Sequence, residues 1–397
     1  MIGHRLAGHR FEANAFWRLV PGGMPRRWWL FRPFDWLARH WPVGRSRQGL
    51  LVIRMDGIGD MVLFRSSLDH YAEAFGVPRE DIVVLGCKAW GELAETVFSG
   101  YRTMVIDEHR FAKRPWYRFG VALAVRRLNP AITVCDQFFR RPLMADSLAW
   151  IAGAPQTAMS LPYINEATRS TFAWYLSQAS RVVFTGHYPL HEVARHYRFV
   201  SEILGREVPA VPPMLEWRER EPKVPKGAPY VVVNPGSNAP GRRWPVDNYL
   251  KLADRLHAMG FRIVVVGTSG EKADVERLKA FAETSGVIDL IGQTTMDELM
   301  DLLKHAALVL TNDSGPAHLA VALGVRTLVV VGGGHFGCFF PYPEGIAPAT
   351  VRFAWTAMDC YHCFWRCPKR TDDRDAFPCV AAVTPEQAWA KVEELLA

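Results

Sequence analysis

A strand–turn–helix–strand pattern in residues 306–331 constrains the fold of this chain more than any other stretch. Ala306–Leu310 is a short apolar run, and Thr327–Val331 is a second one. Between them a polar turn, Thr311–Gly315, leads into a helical pattern at Pro316–Leu323. Two apolar strands joined through a helix are typical of a parallel sheet, because parallel neighbours need a crossover connection. The pattern therefore predicts an α/β fold.

The turn of this unit has the properties of an anion site. It joins the end of a strand to the start of a helix, where free N–H groups and the positive end of the helix dipole meet. Ser314 and Gly315 suit a helix start, Pro316 suits a first turn, and His318 lies just inside. A surface helix start explains an isolated Asp-Ser-Gly equally well, so the turn gains meaning only from the rest of the chain.

The chain has 397 residues, which is more than a domain with a single hydrophobic core usually contains. The sequence therefore predicts two domains. Apolar strands alternate with helical stretches from Gly49 onward, and again after residues 206–228, which hold five prolines and many charges. We expect a linker at 206–228 between two doubly wound Rossmann-like domains that face each other across a cleft. The first spans 49–205 and the second 229–358, and residues 359–397 form a Cys-rich loop and a C-terminal helix.

Four turns at predicted strand ends carry polar groups that suit one ligand. Ligands of open α/β sheets lie beyond the carboxyl ends of the strands. Arg242 and Arg243 supply donors matched to phosphate, and Glu271 is suited to a ribose. The dinucleotide glycine fingerprint and the P-loop sequence are both absent, which argues against a nicotinamide-dependent oxidoreductase. The turns are 57–60, 234–237, 267–271 and 313–318.

These motifs together resemble the ADP-heptose:lipopolysaccharide heptosyltransferases, glycosyltransferase family nine. The resemblance rests on order and spacing and covers roughly residues 49–397. It implies the two-domain GT-B fold, with the nucleotide sugar on the C-terminal domain and the acceptor on the N-terminal domain. The motifs are Gly59-Asp60 after Leu51-Val52-Ile53-Arg54, Pro235-Gly236-Ser237 with Arg243-Trp244-Pro245, and Asn312-Asp313-Ser314-Gly315-Pro316-Ala317-His318.

The resemblance also implies roles for single residues. Asp60 matches the aspartate proposed as general base, and Arg242 falls where the family places a basic residue on the donor phosphates. No catalytic divalent metal is expected, because one base and a set of positive groups suffice for inverting transfer. The remaining donor-binding residues are Ser237 and Arg243 in the second motif, Ser314 and Gly315 on the diphosphate, Asp313 and His318 near the sugar or diphosphate, and Glu271 near the ribose.

The expected function is that of an inverting glycosyltransferase moving a heptose, or a similar sugar, from an ADP-sugar to a hydroxyl of the lipopolysaccharide core. Two alternatives stay open: a protein O-heptosyltransferase, and a non-catalytic nucleotide-sugar-binding or scaffold protein. Phe64-Arg65-Ser66-Ser67 follows Gly59-Asp60 where the family usually has a Thr-x-Pro-like segment. That helix faces the acceptor in the family, so the acceptor's identity stays open.

Four cysteines near the C-terminus, Cys360, Cys363, Cys367 and Cys379, predict a structural metal site. In a chain expected to be cytoplasmic, such a cluster favours metal over disulfides. Four thiolates suit tetrahedral zinc or iron, and a reduced, metal-free loop is the alternative. The autotransporter heptosyltransferases carry a comparable four-cysteine iron site with different spacing, so the chain resembles them here.

The extension at residues 1–48 is rich in arginine and tryptophan. It holds nine arginines, no lysine and two acids, while the other residues sum to zero charge, so a nucleic-acid partner is not expected. Peripheral contact with the inner membrane, packing on the domain, an oligomer contact and a disordered leader all remain open. The sequence has neither a long apolar run nor a signal-peptide core, and we expect a cytoplasmic chain.

Overall fold

A parallel sheet lies at the centre of each of the two units into which the chain divides. The computed structural model describes residues 24–44, 46–268 and 287–397. The first unit comprises residues up to Gly57 together with Ser67–Ala210, and the second comprises Ile58–Ser66 with Val211–Ala397. The short segment Ile58–Ser66 therefore belongs to the second unit, although in the chain it closely follows the first strand of the first unit. The predicted α/β class is confirmed.

The first unit has its strands in the order β3-β2-β1-β4-β5-β6, all of them parallel. Strand β1 pairs with both β2 and β4, and all five of its residues are buried, as a central strand covered by helices requires. The strands are β1 Leu50–Arg54, β2 Ile82–Cys87, β3 Arg102–Ile106, β4 Ile132–Cys135, β5 Gln156–Ser160 and β6 Arg181–Val183. The helices, numbered along the chain, are α1 Arg26–Arg39, α2 Ile58–Leu68 (mostly in the second unit), α3 Tyr71–Phe75, α4 Ala94–Val97, α5 Glu108–Lys113, α6 Pro115–Leu128, α7 Ser147–Ala152, α8 Arg169–Leu176 and α9 Glu192–Leu204.

The second unit repeats this strand order, as β12-β11-β10-β7-β8-β9, with parallel pairing throughout the described strands. Its centre is the β10–β7 pair, where the order reverses, and ligands of doubly wound sheets lie at such a point. The strands are β7 Tyr230–Asn234, β8 Arg262–Val265, β9 Ile288–Asp289, β10 Leu308–Asn312, β11 Thr327–Val330 and β12 Val351–Ala354. The helices are α10 Val246–Ala258, α11 Met296–Lys304, α12 Gly315–Ala322, α13 Pro378–Ala381 and α14 Pro385–Leu396.

Some elements differ from the sequence pattern. Strands β5 and β12 were not predicted, because Gln156–Ser160 and Val351–Ala354 mix polar with apolar residues and take their strand form from their neighbours in the sheet. The sequence pattern of Met61–Phe75 predicts one helix, whereas the structure has two, separated at Asp69-His70. The sequence pattern also predicts a helix at Lys272–Ser285, which lies outside the described residues.

The proline-rich segment 206–228 contains no helix or strand, and its later part lies on the second unit. The Leu215 amide donates to the carbonyl oxygen of Ala322 at 2.9 Å, and the Trp217 indole donates to Asp301 Oδ1 at 2.8 Å. Because Trp217 is buried, this stretch is fixed by packing rather than acting as a free spacer.

The described part of the N-terminal extension packs on the first unit. Helix α1 lies against α6 and α7, with Trp28 and Phe31 buried. Arg118 donates two hydrogen bonds to the Asp35 carboxylate, at 2.7 and 2.6 Å. The Arg32 guanidinium lies 3.7 Å from the ring centroid of Trp150. Aromatic and charged contacts therefore hold a segment whose sequence alone left its role open.

Candidate functional site

Asn312, the last residue of β10, joins two of the predicted turns within the second unit. Its side chain is fully buried, and both the nitrogen and the oxygen of its amide group form hydrogen bonds. The amide nitrogen donates to the carbonyl oxygens of Pro235 and Gly236, at 2.6 and 3.3 Å. The amide oxygen accepts from the Trp244 backbone N–H and the Tyr249 hydroxyl, each at 2.9 Å. The turns after β7 and β10 are therefore fixed to each other by one side chain.

Arg243 braces the turn after β7. Its Nε and Nη2 donate to the Ser237 carbonyl oxygen, at 3.1 and 3.0 Å. The structure thus places the two predicted donor residues, Ser237 and Arg243, in contact with each other. The guanidinium of Arg243 therefore stabilises the turn after β7.

Arg242 has a different environment. Its guanidinium stacks over the Trp365 ring, 4.1 Å from the centroid, and its buried Nε has no hydrogen-bond partner among the described residues. Burial lowers the pKa of Arg242, and the carboxylates of Asp313 and Asp60 oppose that shift. A half-buried cation of this kind is suited to an anionic ligand, since a phosphate would supply the missing acceptor.

Asp313 follows β10 beside Arg242. Burial raises its pKa to about 6, and the charge of Arg242 opposes the shift without cancelling it. A carboxyl with a pKa near neutral changes its charge under mild conditions, and perturbed groups of this kind cluster at functional sites. Asp313 therefore places a titratable carboxyl beside Arg242, next to the predicted phosphate position.

The start of α12 is the predicted anion site, and α2 begins against it. Ser314 takes the N-cap position and Pro316 lies in the first turn, as expected. A Cβ on Gly59 would lie 2.5 Å from His318 Cδ2, and one on Gly315 would lie 3.1 Å from Ile58 Cβ. The glycines thus permit the two helix starts to meet. Asp60, one residue after Gly59, is thereby placed close enough to act on the charge of Arg242.

His318 is part of the packed interior of the second unit. Its ring stacks on Phe340 with centroids 4.0 Å apart, and its Nδ1 lies 3.1 Å from the Tyr342 hydroxyl oxygen. His318 is the fourth residue of α12, and its ring lies directly against Gly59 of α2. Glu271, the predicted ribose partner, lies outside the described residues.

Cys360, Cys363 and Cys367 lie in the loop that follows β12, and Cys379 lies in α13; the loop contacts Gly333 and Gly334 at the end of β11. Cys379 Sγ accepts a hydrogen bond from the Gly333 amide at 3.3 Å, and burial raises the pKa of the Cys363 and Cys379 thiols. Within residues 24–44, 46–268 and 287–397, no three His, Cys, Asp or Glu side chains are arranged to hold a metal ion. The placed thiols therefore do not fit the predicted zinc or iron ion.

The first unit contains a buried ionic cluster that the sequence did not point to. Asp136, at the end of β4, accepts from Arg54 Nη1 at 2.6 Å and lies 2.6 Å from His196 Nδ1. Burial alone would raise the pKa of Asp136, but His196 and Arg54 hold it below its ordinary range. Arg54 also pairs with Asp56, just beyond β1. The only sequence signal was a charged residue at the end of one apolar strand, Arg54, and another directly after a second one, Asp136.

Comparison with known proteins gives the same family as the motifs. Residues 165–346, somewhat less than half of the chain, match the model of glycosyltransferase family 9 (heptosyltransferase). The resemblance to glycosyltransferase family 9 is confirmed. Among curated proteins, lipopolysaccharide heptosyltransferase 3 of Escherichia coli is 31% identical over 30% of this chain and 35% of its own length. Lipooligosaccharide heptosyltransferase 2 of Haemophilus influenzae is 28% identical over 43% of this chain.

The chain spans about a third to a half of the length of these two relatives. Solved structures extend the likeness of fold beyond that part. The E. coli ADP-heptose lipopolysaccharide heptosyltransferase II has a TM-score of 0.66 at 17% identity, covering 88% of this chain and 98% of that one. The iron-containing dodecameric glycosyltransferase TibC of enterotoxigenic E. coli has a TM-score of 0.53 at 15% identity, with 89% and 77% covered. The GT-B fold expected for glycosyltransferase family 9 is thus confirmed.

Proposed function

We propose that the chain is an inverting glycosyltransferase that moves a heptose, or a similar sugar, from an ADP-sugar to a glycan hydroxyl. The proposal rests on the guanidinium of Arg242. It interacts electrostatically with Asp313, the residue before the N-cap of α12, and its buried Nε has no hydrogen-bond partner among the described residues. Asp60 acts on the charge of the same guanidinium from the adjoining helix. A base and an anion site are the two groups that this transfer requires.

In the proposed reaction the acceptor oxygen attacks the anomeric carbon of the donor sugar. The bond between that carbon and the diphosphate oxygen breaks, and ADP leaves with its electron pair. Asp60 takes the proton of the hydroxyl, while Arg242 and the amides at the start of α12 stabilise the charge that develops on ADP. Asn312 and Arg243 support the turns that carry these groups.

An assay of ADP release tests this function. Purified chain is supplied with ADP-heptose and either truncated lipopolysaccharide or candidate acceptor proteins. ADP release that requires the truncated lipopolysaccharide supports the proposal, and release that requires a protein favours the O-heptosyltransferase alternative. Tight binding of ADP-heptose with no release on any acceptor would favour the scaffold alternative.

The four-cysteine metal site remains a prediction from the sequence. Its support is the spacing of Cys360, Cys363, Cys367 and Cys379 and the influence of the other three thiols on Cys379. The placed side chains do not fit an ion, so no step of the reaction above involves one. Elemental analysis of untagged protein decides, because a structural metal is present near stoichiometry and less than about a tenth of an equivalent contradicts the site.

We propose further that the outer face of α1 contacts an anionic membrane surface. Trp29, Trp36 and Trp116 are 53%, 52% and 78% exposed, and Trp116 lies next to Phe34 of α1. The exposed charges of α1 are Arg26 and Arg27, while its one acid, Asp35, is buried against Arg118. Exposed tryptophans beside arginines suit the interface of an anionic bilayer. No helix in the described part of the chain is both long and apolar enough to span one.

Sedimentation with vesicles tests this surface. Vesicles of phosphatidylcholine with added phosphatidylglycerol should carry the protein down, and pure phosphatidylcholine should do so less. The triple variant Trp29→Ser, Trp36→Ser, Trp116→Ser should stay in the supernatant, whereas Trp355→Ser, at a comparably exposed residue of the second unit, should not. If the wild type is a dimer and the triple variant is a monomer, the exposed face of α1 would instead bind a second copy of the chain.

A further inference from the structure

We propose that Trp365, in the cysteine-containing loop, is a positioning residue that holds Arg242 ready for the diphosphate of the donor. The role rests on the function proposed above. The Trp365 ring lies beneath the Arg242 guanidinium with 4.1 Å between Cζ and the ring centroid. A guanidinium over an indole ring is attracted electrostatically and keeps its planar donors oriented.

A second contact fixes the same segment from the same loop. The Phe377 amide donates to the carbonyl oxygen of Gly241 at 2.6 Å, one residue before Arg242. Trp365 and Phe377 are themselves stacked, with centroids 5.4 Å apart. Backbone and side chain of the Gly241-Arg242 step are therefore both held by the loop.

The backbone around Trp365 is shaped for this contact. His362, Phe364 and Trp365 have positive φ angles of 67°, 55° and 61°, a region that non-glycine residues rarely adopt. The amides of His362 and Phe364 donate to Gly333 and Gly334 oxygens, at 2.7 and 3.0 Å. Strained conformations persist only where the surroundings fix them, and they cluster at functional sites.

The glycines after β11 leave room for the ring. A Cβ on Gly334 would overlap the indole of Trp365, and one on Gly333 would overlap the ring of Tyr361. Only glycine therefore fits at both positions without moving a ring, a constraint that the glycine-rich sequence alone did not reveal. Gly334→Ala must displace the Trp365 ring without altering that residue itself.

Two variants and one matched control test the proposal. Trp365→Leu removes the π face and keeps apolar volume, and Gly334→Ala moves the ring. Trp389→Leu is the control, because Trp389 also lies under an arginine, Arg255, at 5.3 Å, on helices α14 and α10 of the same unit. If the control behaves like either test variant, general loss of packing explains the result and the proposal is wrong.

The first readout does not depend on nucleotide binding. The rate at which phenylglyoxal modifies Arg242, followed by peptide mass spectrometry, should rise several-fold in Trp365→Leu and Gly334→Ala. The modification rate of Arg242 in Trp389→Leu should equal that of the wild type. An unchanged rate in both test variants would show that Trp365 does not hold Arg242, whether or not the chain is a glycosyltransferase.

The second readout is the affinity for ADP, measured by calorimetry. Loss of one cation–π contact should weaken ADP binding about 3- to 30-fold in Trp365→Leu. In an Arg242→Met background the same change should have no further effect, because the group that Trp365 positions is gone. Equal weakening in both backgrounds would overturn the positioning role. Failure of the wild type to bind ADP, with the modification result intact, would contradict the proposed function and leave the stacking role confirmed.

Discussion

The side-chain amide of Asn312 donates to the carbonyl oxygen of Pro235 at 2.6 Å, so the turn after β10 and the turn after β7 are one rigid piece. The same side chain accepts from the Trp244 amide and the Tyr249 hydroxyl. A single buried residue thus joins the turn that carries Ser237 to the turn that carries Asp313.

Replacing Asn312 by leucine should destabilise the second unit by about 2–4 kcal/mol, because buried donors and acceptors lose their partners. The affinity for ADP should fall as well, since the two turns lose their common support. Urea unfolding and calorimetry measure the two effects. Asn238→Leu, at an exposed position of the same turn, should change the free energy of unfolding little; equal losses in both variants would contradict the role of Asn312.

Asp60→Asn should lower kcat about 10²- to 10⁴-fold, the usual contribution of a general base. Affinity for ADP-heptose should not fall, because the amide occupies the same space and has no negative charge to repel the diphosphate. ADP release in the presence of acceptor gives the first quantity and calorimetry the second. Asp254→Asn, on the exposed face of α10, is the control and should retain the wild-type rate. Wild-type turnover in Asp60→Asn would exclude this residue as the base.

Asp313→Asn should alter the pH dependence of both stability and donor binding. The folded-state pKa of about 6 lies above the ordinary value, so the folded protein binds this proton more tightly than the unfolded chain. Wild-type stability should therefore fall as pH rises from about 4 through 6. The asparagine variant should exceed it by about 1–3 kcal/mol at pH 7.5 and match it near pH 4.

Donor binding should follow the same titration. Below pH 6 the Asp313 carboxyl is neutral and no longer repels a diphosphate, so ADP-heptose without acceptor should bind roughly fivefold tighter at pH 5.5 than at 7.5. ADP-heptose suits this measurement because its diphosphate has no proton that titrates in the range. The dependence should disappear in Asp313→Asn. A persistent slope in that variant would assign the titration to another group.

Gly59→Ala should reduce both stability and turnover. The new Cβ would lie 2.5 Å from the buried His318 ring, and a strained core of this kind costs about 1–3 kcal/mol. Displacing α2 also moves Asp60, so kcat should fall more than the affinity for ADP. Gly120→Ala is the matched control: it lies in α6 with open space around it, and alanine should stabilise that helix by up to about 1 kcal/mol.

Asp35→Asn should loosen α1 from the first unit. Removing one partner of a buried ion pair costs about 3–5 kcal/mol, because Arg118 remains buried without its carboxylate. Thermal unfolding and hydrogen exchange at 26–39 should both show the loss. The exposed pair Glu73–Arg206 provides the comparison, and Glu73→Gln should change the free energy of unfolding by less than about 1 kcal/mol. Unchanged exchange in Asp35→Asn would mean that the aromatic contacts suffice.

Local sequence determined the parallel sheets and the polar turns. Continuous apolar runs predicted β1, β7 and β10 because a buried central strand has no polar face to interrupt the run. Strand–turn–helix spacing then placed Asp60 and Asp313 at strand ends, and the family resemblance followed from those turns. Strands such as β12 were not predicted from the sequence, because their conformation comes from pairing with a neighbouring strand.

Only the tertiary structure decided which side chains support one another. No local pattern relates Trp365 to Arg242, or Asp35 to Arg118, because contacts between distant segments depend on packing rather than on spacing in the chain. The same holds for Arg242 and Arg243: two adjacent arginines looked equivalent in sequence, yet one braces a turn and the other stacks on an indole with its Nε unpartnered among the described residues. The sequence determined which chemical groups are present and at which edge of the sheet they lie. Burial and contacts with neighbouring rings, which depend on the tertiary structure, decided which of these groups support a turn and which remain available to a ligand.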